Sequence, residues 1–408
     1  MQPIIIEKPY AFIPPYRGTW WSTLIRDLNL QGYWLRRVDG VVSYELRGQT
    51  RLRASLDAGH GVLLTPNHCR TGDPLVMGWL AREMRCHVFA MASWHLFNQS
   101  RFEAWAIHKM GGFSVYREGI DRQAINTAIE ILETAERPLI IFPEGAVSRT
   151  NDRLHALLDG VAFIARTAAK RRRKRDPDGK VVVHPVALKY LFQSDLDTTA
   201  DPVLTTIEQR LTWRPRSDLP VDQRVAHIGL ALLALKEMEY LGTTHTDALA
   251  RRLQRLIDHI LCPLEEQWLG QSQHGPVVPR VKTLRMKIMP EMVRGQVSAT
   301  ERERRWEQLA DLYLAQQIAN YPPDYLETQS VDRLLETIER FEEDLTDTVR
   351  AHPPRHVIID VGPSIEVSPR RDRKADSDPL MVAIERQLCA MLDRLAKLSR
   401  PYRPPNAL

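Results

Sequence analysis

His68 and Asp73 stand in the stretch LLTPNHCRTGDPLV, residues 63–76, with four residues between them. An imidazole with a carboxylate that close can do general-base chemistry. The carboxylate accepts a hydrogen bond from one ring nitrogen, fixes the tautomer and stabilises the imidazolium, and the other nitrogen is left to take a proton from a hydroxyl. Chance His/Asp pairs at this spacing are common, and an Asp before Pro74 is also what a helix N-cap looks like. The pair gains weight from its neighbours. GGFSVYREG, 111–119, places Arg117 just beyond a short apolar run, and IIFPEGAVSRTND, 140–152, ends another run in Glu144 and Gly145, with Arg149 following. VVVHPVAL, 181–188, is a fourth apolar run, read as a strand with Pro185 near its end. Arginines at such points offer a planar fork for phosphate or carboxylate, although surface ion pairing is the commoner fate of an Arg. No G-x-S-x-G elbow occurs, and neither a Ser nor a Cys is convincingly paired with His68; Cys69, its neighbour, is expected to point the other way.

The elements that position these residues can be read from periodicity. From 41 to 192, strand-like runs alternate with helical ones: VVSYELRG, GVLLTP, HVFAMAS, GGFSVYR, RPLIIFPEG and KVVVHPVAL against DPLVMGWLAREM, WHLFNQSRFEAWAIHKM, IDRQAINTAIEILETA and LHALLDGVAFIARTAAK. This alternation predicts an α/β fold, a mixed sheet flanked by helices, whose strand ends converge on one pocket. From about 193 to 354 the pattern is almost wholly helical, and WLGQSQHGPVVPRVKTLRMKI within it reads as an exposed connector. RHVIIDVGPSIEV, 355–367, then returns as strand before a last helix. The expected organisation is an N-terminal amphipathic segment (1–40), an α/β core (41–192), a helical insertion (193–354), and a closing strand and helix of the core (355–408).

Composition sets the bounds. The 408 residues are 43% hydrophobic and 26% charged, with a net charge of +5, ordinary for a globular protein and only mildly biased toward anionic partners. The four cysteines form no CxxC pair, which argues against a zinc site or a disulfide framework. No signal peptide is visible, and no run approaches the ~20 apolar residues that span a bilayer. Residues 16–37 interleave Trp20, Trp21, Tyr33 and Trp34 with Arg17, Arg26, Arg36 and Arg37. That mixture suits a bilayer interface or, equally, a helix docked on the protein's own core. KRRRKR, 170–175, reads as a solvated helix end or as a dock for anionic headgroups or an acidic carrier protein; nothing accompanies it that suggests nucleic acid.

The four blocks, N-H-C-R-T-G-D (67–73), G-F-S-V-Y-R (112–117), F-P-E-G (142–145) and H-P-V-A (184–187), resemble in order and spacing those of the glycerolipid acyltransferase family, the 1-acylglycerol-3-phosphate or lysophospholipid acyltransferase type. The resemblance covers roughly 40–192 and 355–400. It implies that His68 is the general base oriented by Asp73, and that Asn67, Gly112, Arg117, Glu144, Gly145 and Arg149 serve the substrate. It further implies that a fatty acyl group passes from acyl-CoA or acyl carrier protein directly to the hydroxyl of a lysophosphatidic acid-like lipid. Such a transfer needs no metal and no other cofactor. The implied setting is phospholipid biosynthesis or remodelling at the inner face of a membrane, with peripheral or monotopic attachment to an anionic surface. The chain departs from the family at Val147, where an Arg is usual, so a non-phosphatidic lysolipid remains an alternative acceptor. Thioester hydrolysis and non-catalytic lipid binding are the other readings.

Overall fold

The computed structural model describes residues 5–321, 324, 327, 329–346, 348–370 and 377–404. Helices α1 (Trp20–Asp27) and α2 (Leu30–Val38) lead into β1 (Val41–Arg47), α3 (Gln49–Asp57), β2 (Gly61–Pro66), α4 (Asp73–Glu83), β3 (Phe89–Ser93), α5 (Arg101–Lys109), β4 (Gly112–Val115), α6 (Arg122–Thr134), β5 (Leu139–Ile140), α7 (Gly160–Arg175) and β6 (Val181–Phe192). Six helices follow: α8 (Leu196–Arg210), α9 (Val221–Leu241), α10 (Leu249–Leu269), α11 (Val277–Val293), α12 (Ala299–Ala319) and α13 (Val331–Thr346). The described chain closes with β7 (Arg355–Val361), β8 (Ile365–Glu366) and α14 (Pro379–Ala396).

The strands form one sheet in the order β1-β7-β6-β2-β5-β3-β4, with β8 also on β6. Pairing is parallel except for β6 with β7 and β6 with β8, so the sheet is mixed, as its sequence pattern predicts. β7, which follows the six helices in sequence, inserts between β1 and β6. Two apolar cores sandwich the sheet. Leu63, Val181 and Val183 pack with residues of α6, α7 and α14 on one face; Val62, Leu64 and Val182 pack with α2 and α4 on the other. This is the two-sided burial that parallel strands require. The helical region has a core of its own around Leu256, Leu284, Ile288 and Leu312. A further cluster joins α8, α9 and α13 to Phe192 of β6. Among the described residues, no helix is long and apolar enough to cross a membrane.

Three readings are corrected. The segment taken as a connector is helix α11, which buries Val281, Leu284, Ile288 and Met289. Pro276 is the N-cap and Pro279 lies in the first turn, where a missing N–H costs nothing; Pro290 lies inside the helix, in its last turn. Helix α7 starts at Gly160 rather than Leu154, because the amides of His155 and Leu158 are held instead by Glu144 and by the Pro143 carbonyl. Finally, Pro185 lies near the middle of β6, not at its end. Its ring nitrogen faces the gap between the rungs to β8 (Val182, Val183) and those to β7 (from Val186 on), so no ladder bond is lost.

Candidate active site

The parallel strands β2, β4 and β5 all point their carboxyl ends to one edge of the sheet, and the three sequence blocks that follow them meet there. β6 starts level with β2 but runs six residues past Pro66, so its second half stands beside the loop that carries His68. The free edge of that extension is completed by side chains at every second residue. Asn67 accepts from the Leu188 N–H at 2.7 Å and donates to its carbonyl at 3.1 Å. Asn151 does the same for Tyr190 at 2.8 and 2.6 Å, and Asp332 of α13 accepts from the Phe192 N–H at 2.7 Å. A buried backbone donor must be paired, and these amides take the place of a missing strand. Asn67 is therefore engaged in holding the loop on β6.

His68 Nδ1 lies 2.9 Å from Asp73 Oδ2. With the carboxylate as acceptor, Nδ1 carries the proton, and Nε2 has no hydrogen-bond partner among the described residues. Asp73, at the start of α4, is wholly buried. It also accepts from the Arg70 N–H at 2.9 Å and, through Oδ1, from the Tyr190 hydroxyl at 2.6 Å. Three donors satisfy the buried charge and lock its direction. The imidazole stacks on Phe142, with centroids 4.1 Å apart, so the ring cannot swing away from the carboxylate without losing that contact. Cys69 is buried, with burial and Asp73 pushing its thiol well above the usual range, so it is held protonated and is no nucleophile.

Glu144 fastens the block after β5 to the block after β2. Its Oε1 accepts from the His68 N–H at 2.6 Å and its Oε2 from the His155 N–H at 2.9 Å. Burial pushes its carboxyl up to about 8, against the pull of the two amides. Its place is behind the histidine, as a brace. Gly145 has φ +67°, and a Cβ there would meet Leu158 at 2.4 Å, so the turn requires glycine. Arg117 donates to the Gly145 carbonyl, and burial lowers its pKa. Gly112 is closed in by Ile107, whose carbonyl oxygen a Cβ would approach to 2.8 Å, so close packing requires glycine there. Arg149 pairs with Glu343 of α13 at 2.6 Å. Arg70 likewise pairs with Glu339 at 2.9 Å.

Tyr190 was not singled out from the sequence. The signal was there, since an apolar run continuing past Pro185 as LKYLF places Tyr190 on the same face as Val186 and Leu188. A cluster able to hold a metal is absent among the described residues.

The parallel strand ends bring together the histidine–carboxylate pair and the braced turn behind it. Residues 43–189 match the family model described as Acyltransferase, which supports a transferase with an acyltransferase domain over that segment. The match includes all four blocks and stops at Lys189, inside β6. No curated protein is detectably similar to the chain.

Proposed function

We propose that the protein moves a fatty acyl group from a thioester donor, acyl-CoA or acyl carrier protein, to the hydroxyl of a lysophosphatidic acid-like glycerolipid, as a step of phospholipid synthesis or remodelling. The observation that carries this reading is the His68–Asp73 pair, with Nε2 unpartnered, inside an acyltransferase domain. Nε2 removes the acceptor's hydroxyl proton as the oxygen attacks the thioester carbonyl. The tetrahedral adduct then expels the thiolate, the C–S bond breaks, and the imidazolium returns the proton to sulfur. Asp73 stabilises the imidazolium formed in between.

Attachment to an anionic membrane surface fits the exposed aromatics. Trp20 is 62% exposed, and it meets Trp21 at 4.3 Å between ring centroids; Trp21 meets Trp105 at 4.9 Å, and Trp105 meets Phe102 at 6.0 Å. This ladder joins α1, which carries Arg26, to α5, which begins at Arg101. Replacing Trp20, Trp21 and Trp34 by Ser should release the protein from anionic liposomes in a flotation assay; unchanged partition would contradict the attachment.

The test of the activity is purified protein and His68→Ala, each given labelled acyl-CoA or acyl carrier protein with lysophosphatidic acid, zwitterionic lysolipids or glycerol 3-phosphate. His68-dependent product with lysophosphatidic acid is expected. Free fatty acid without acylated product would favour thioester hydrolysis instead.

A further inference from the structure

Arg285 of α11 is a buried cation with no bonded counter-ion among the described residues. It is 5% exposed, and its Nε and Nη2 have no hydrogen-bond partner. A guanidinium in that state is expensive to keep, and native proteins rarely keep one without a use. Its surroundings make the state worse. Arg117 of the acyltransferase domain and Lys282, one turn before Arg285 on α11, lie within electrostatic reach; burial and Arg117 pull Arg285 down to about 10 and lower Lys282 as well. Glu118 is the carboxylate that opposes this repulsion, yet it bonds none of the three, and Tyr313 of α12 adds little. His95, also facing Arg117 and Arg285, is held neutral. Arg117 makes one hydrogen bond, to the Gly145 carbonyl, and that carbonyl follows directly on the glutamate bonded to the His68 amide. Arg117 thereby ties the cluster to the turn that braces the His68 loop.

We propose that Arg117, Lys282 and Arg285 form a phosphate site in which the helical region supplies the cations that the third sequence block lacks at Val147. This rests on the acyltransferase reading for its purpose but not for its existence. A phosphate oxygen set would satisfy the open nitrogens of Arg285 and the repulsion among the three side chains together. The phosphate belongs either to the acceptor's headgroup or to the donor's coenzyme A, and kinetics separate the two.

The experiment has a binding arm and a kinetic arm. In the first, the full chain and its His68→Ala, Arg285→Met and Lys282→Met variants are titrated with inorganic phosphate by calorimetry and by thermal denaturation. Wild type and His68→Ala are expected to bind and to melt higher with phosphate. Arg285→Met is expected to melt higher than wild type without phosphate, because an unpaired buried charge is gone, and to lose the phosphate response. Lys282→Met should weaken it. Equal phosphate response in wild type and Arg285→Met, or a lower melting point of Arg285→Met as expected of a structural arginine, would overturn the site. In the second arm, KM for the phosphate-bearing substrate rises roughly 10- to 100-fold in Arg285→Met. A rise for lysophosphatidic acid alone assigns the acceptor, and a rise for acyl-CoA alone assigns the donor. Unchanged KM for both would overturn the site even with the enzyme active. Phosphate binding lost in Arg285→Met, in a protein with no acyl transfer, would uphold the site and sink the activity instead.

Discussion

Two groups of basic side chains differ in what faces them. Arg70 and Arg149 meet Glu339 and Glu343 of α13, and Arg340 of that helix donates to the Ser148 carbonyl. Glu336 accepts from the Asn151 N–H, and Lys189, wholly buried, pairs with Asp152 and lies 3.6 Å from Asp332. Only a narrow cleft is left between these side chains, lined by Arg70, Arg149, Glu336, Glu339, Arg340 and Glu343. On the other side Arg117, Lys282 and Arg285 have no carboxylate bound to them among the described residues. Charge compensation thus separates arginines that hold α13 against the His68 and Arg149 loops from the cations proposed above to take an anion. Both groups use the helical region, which is why the acyltransferase domain cannot be understood from residues 43–189 alone.

The largest expected effect is on chemistry. His68→Ala should lower acyl transfer by a factor on the order of 10²–10⁴ with the fold intact, measured as kcat with circular dichroism as the control. A loss within a few-fold would remove the base from the account. Tyr190→Phe takes one donor from the buried carboxylate. It should cost about 1–3 kcal/mol of stability and lower kcat without raising KM; a change confined to KM would mean that Tyr190 serves the substrate. The paired arginines should behave in the opposite sense from Arg285. Arg149→Met leaves Glu343 uncompensated and should lower the melting temperature, and adding Glu343→Gln should recover much of the loss in a double-mutant cycle. Additive losses would dissolve the distinction between the two groups.

Smaller effects follow from pH. Burial holds His95 and His155 down to about 4, below their unfolded value of 6.5. Their contribution to stability is complete above pH 6.5 and is lost as pH falls toward 4. Glu144, raised to about 8 from 4.5, acts the other way, since stability falls as pH rises through that window. In melting curves taken against pH, His95→Asn should flatten the acid limb and Glu144→Gln the opposing slope. His95 also reports on the phosphate site: a bound anion beside it should raise its NMR titration midpoint from about 4.

Much of the site was legible because the chemistry is local. His68 and Asp73 lie on one short loop, and the alternation of strands and helices fixes where that loop must point. The braces were harder to see. Asn67 and Asn151 copy a strand for β6, a role set by how far β6 outruns β2, and a proline in mid-strand disguised that length. Arg285 was hidden for a related reason. Three prolines and two glycines between 270 and 290 gave α11 the look of a connector, so its buried face, and the cation on it, went unread. Pairings such as Arg149 with Glu343 join residues far apart in the chain, and no periodicity carries them.

The central claim is that the unpaired cations, not the paired ones, read the phosphate. It is tested most directly by the ratio of kcat/KM for lysophosphatidic acid to that for an uncharged monoacylglycerol, in wild type, Arg285→Met and Arg149→Met. The account predicts a high ratio in wild type, a collapse in Arg285→Met, and a preserved ratio in Arg149→Met even as both its rates fall together. A ratio that survives in Arg285→Met and collapses in Arg149→Met would contradict it.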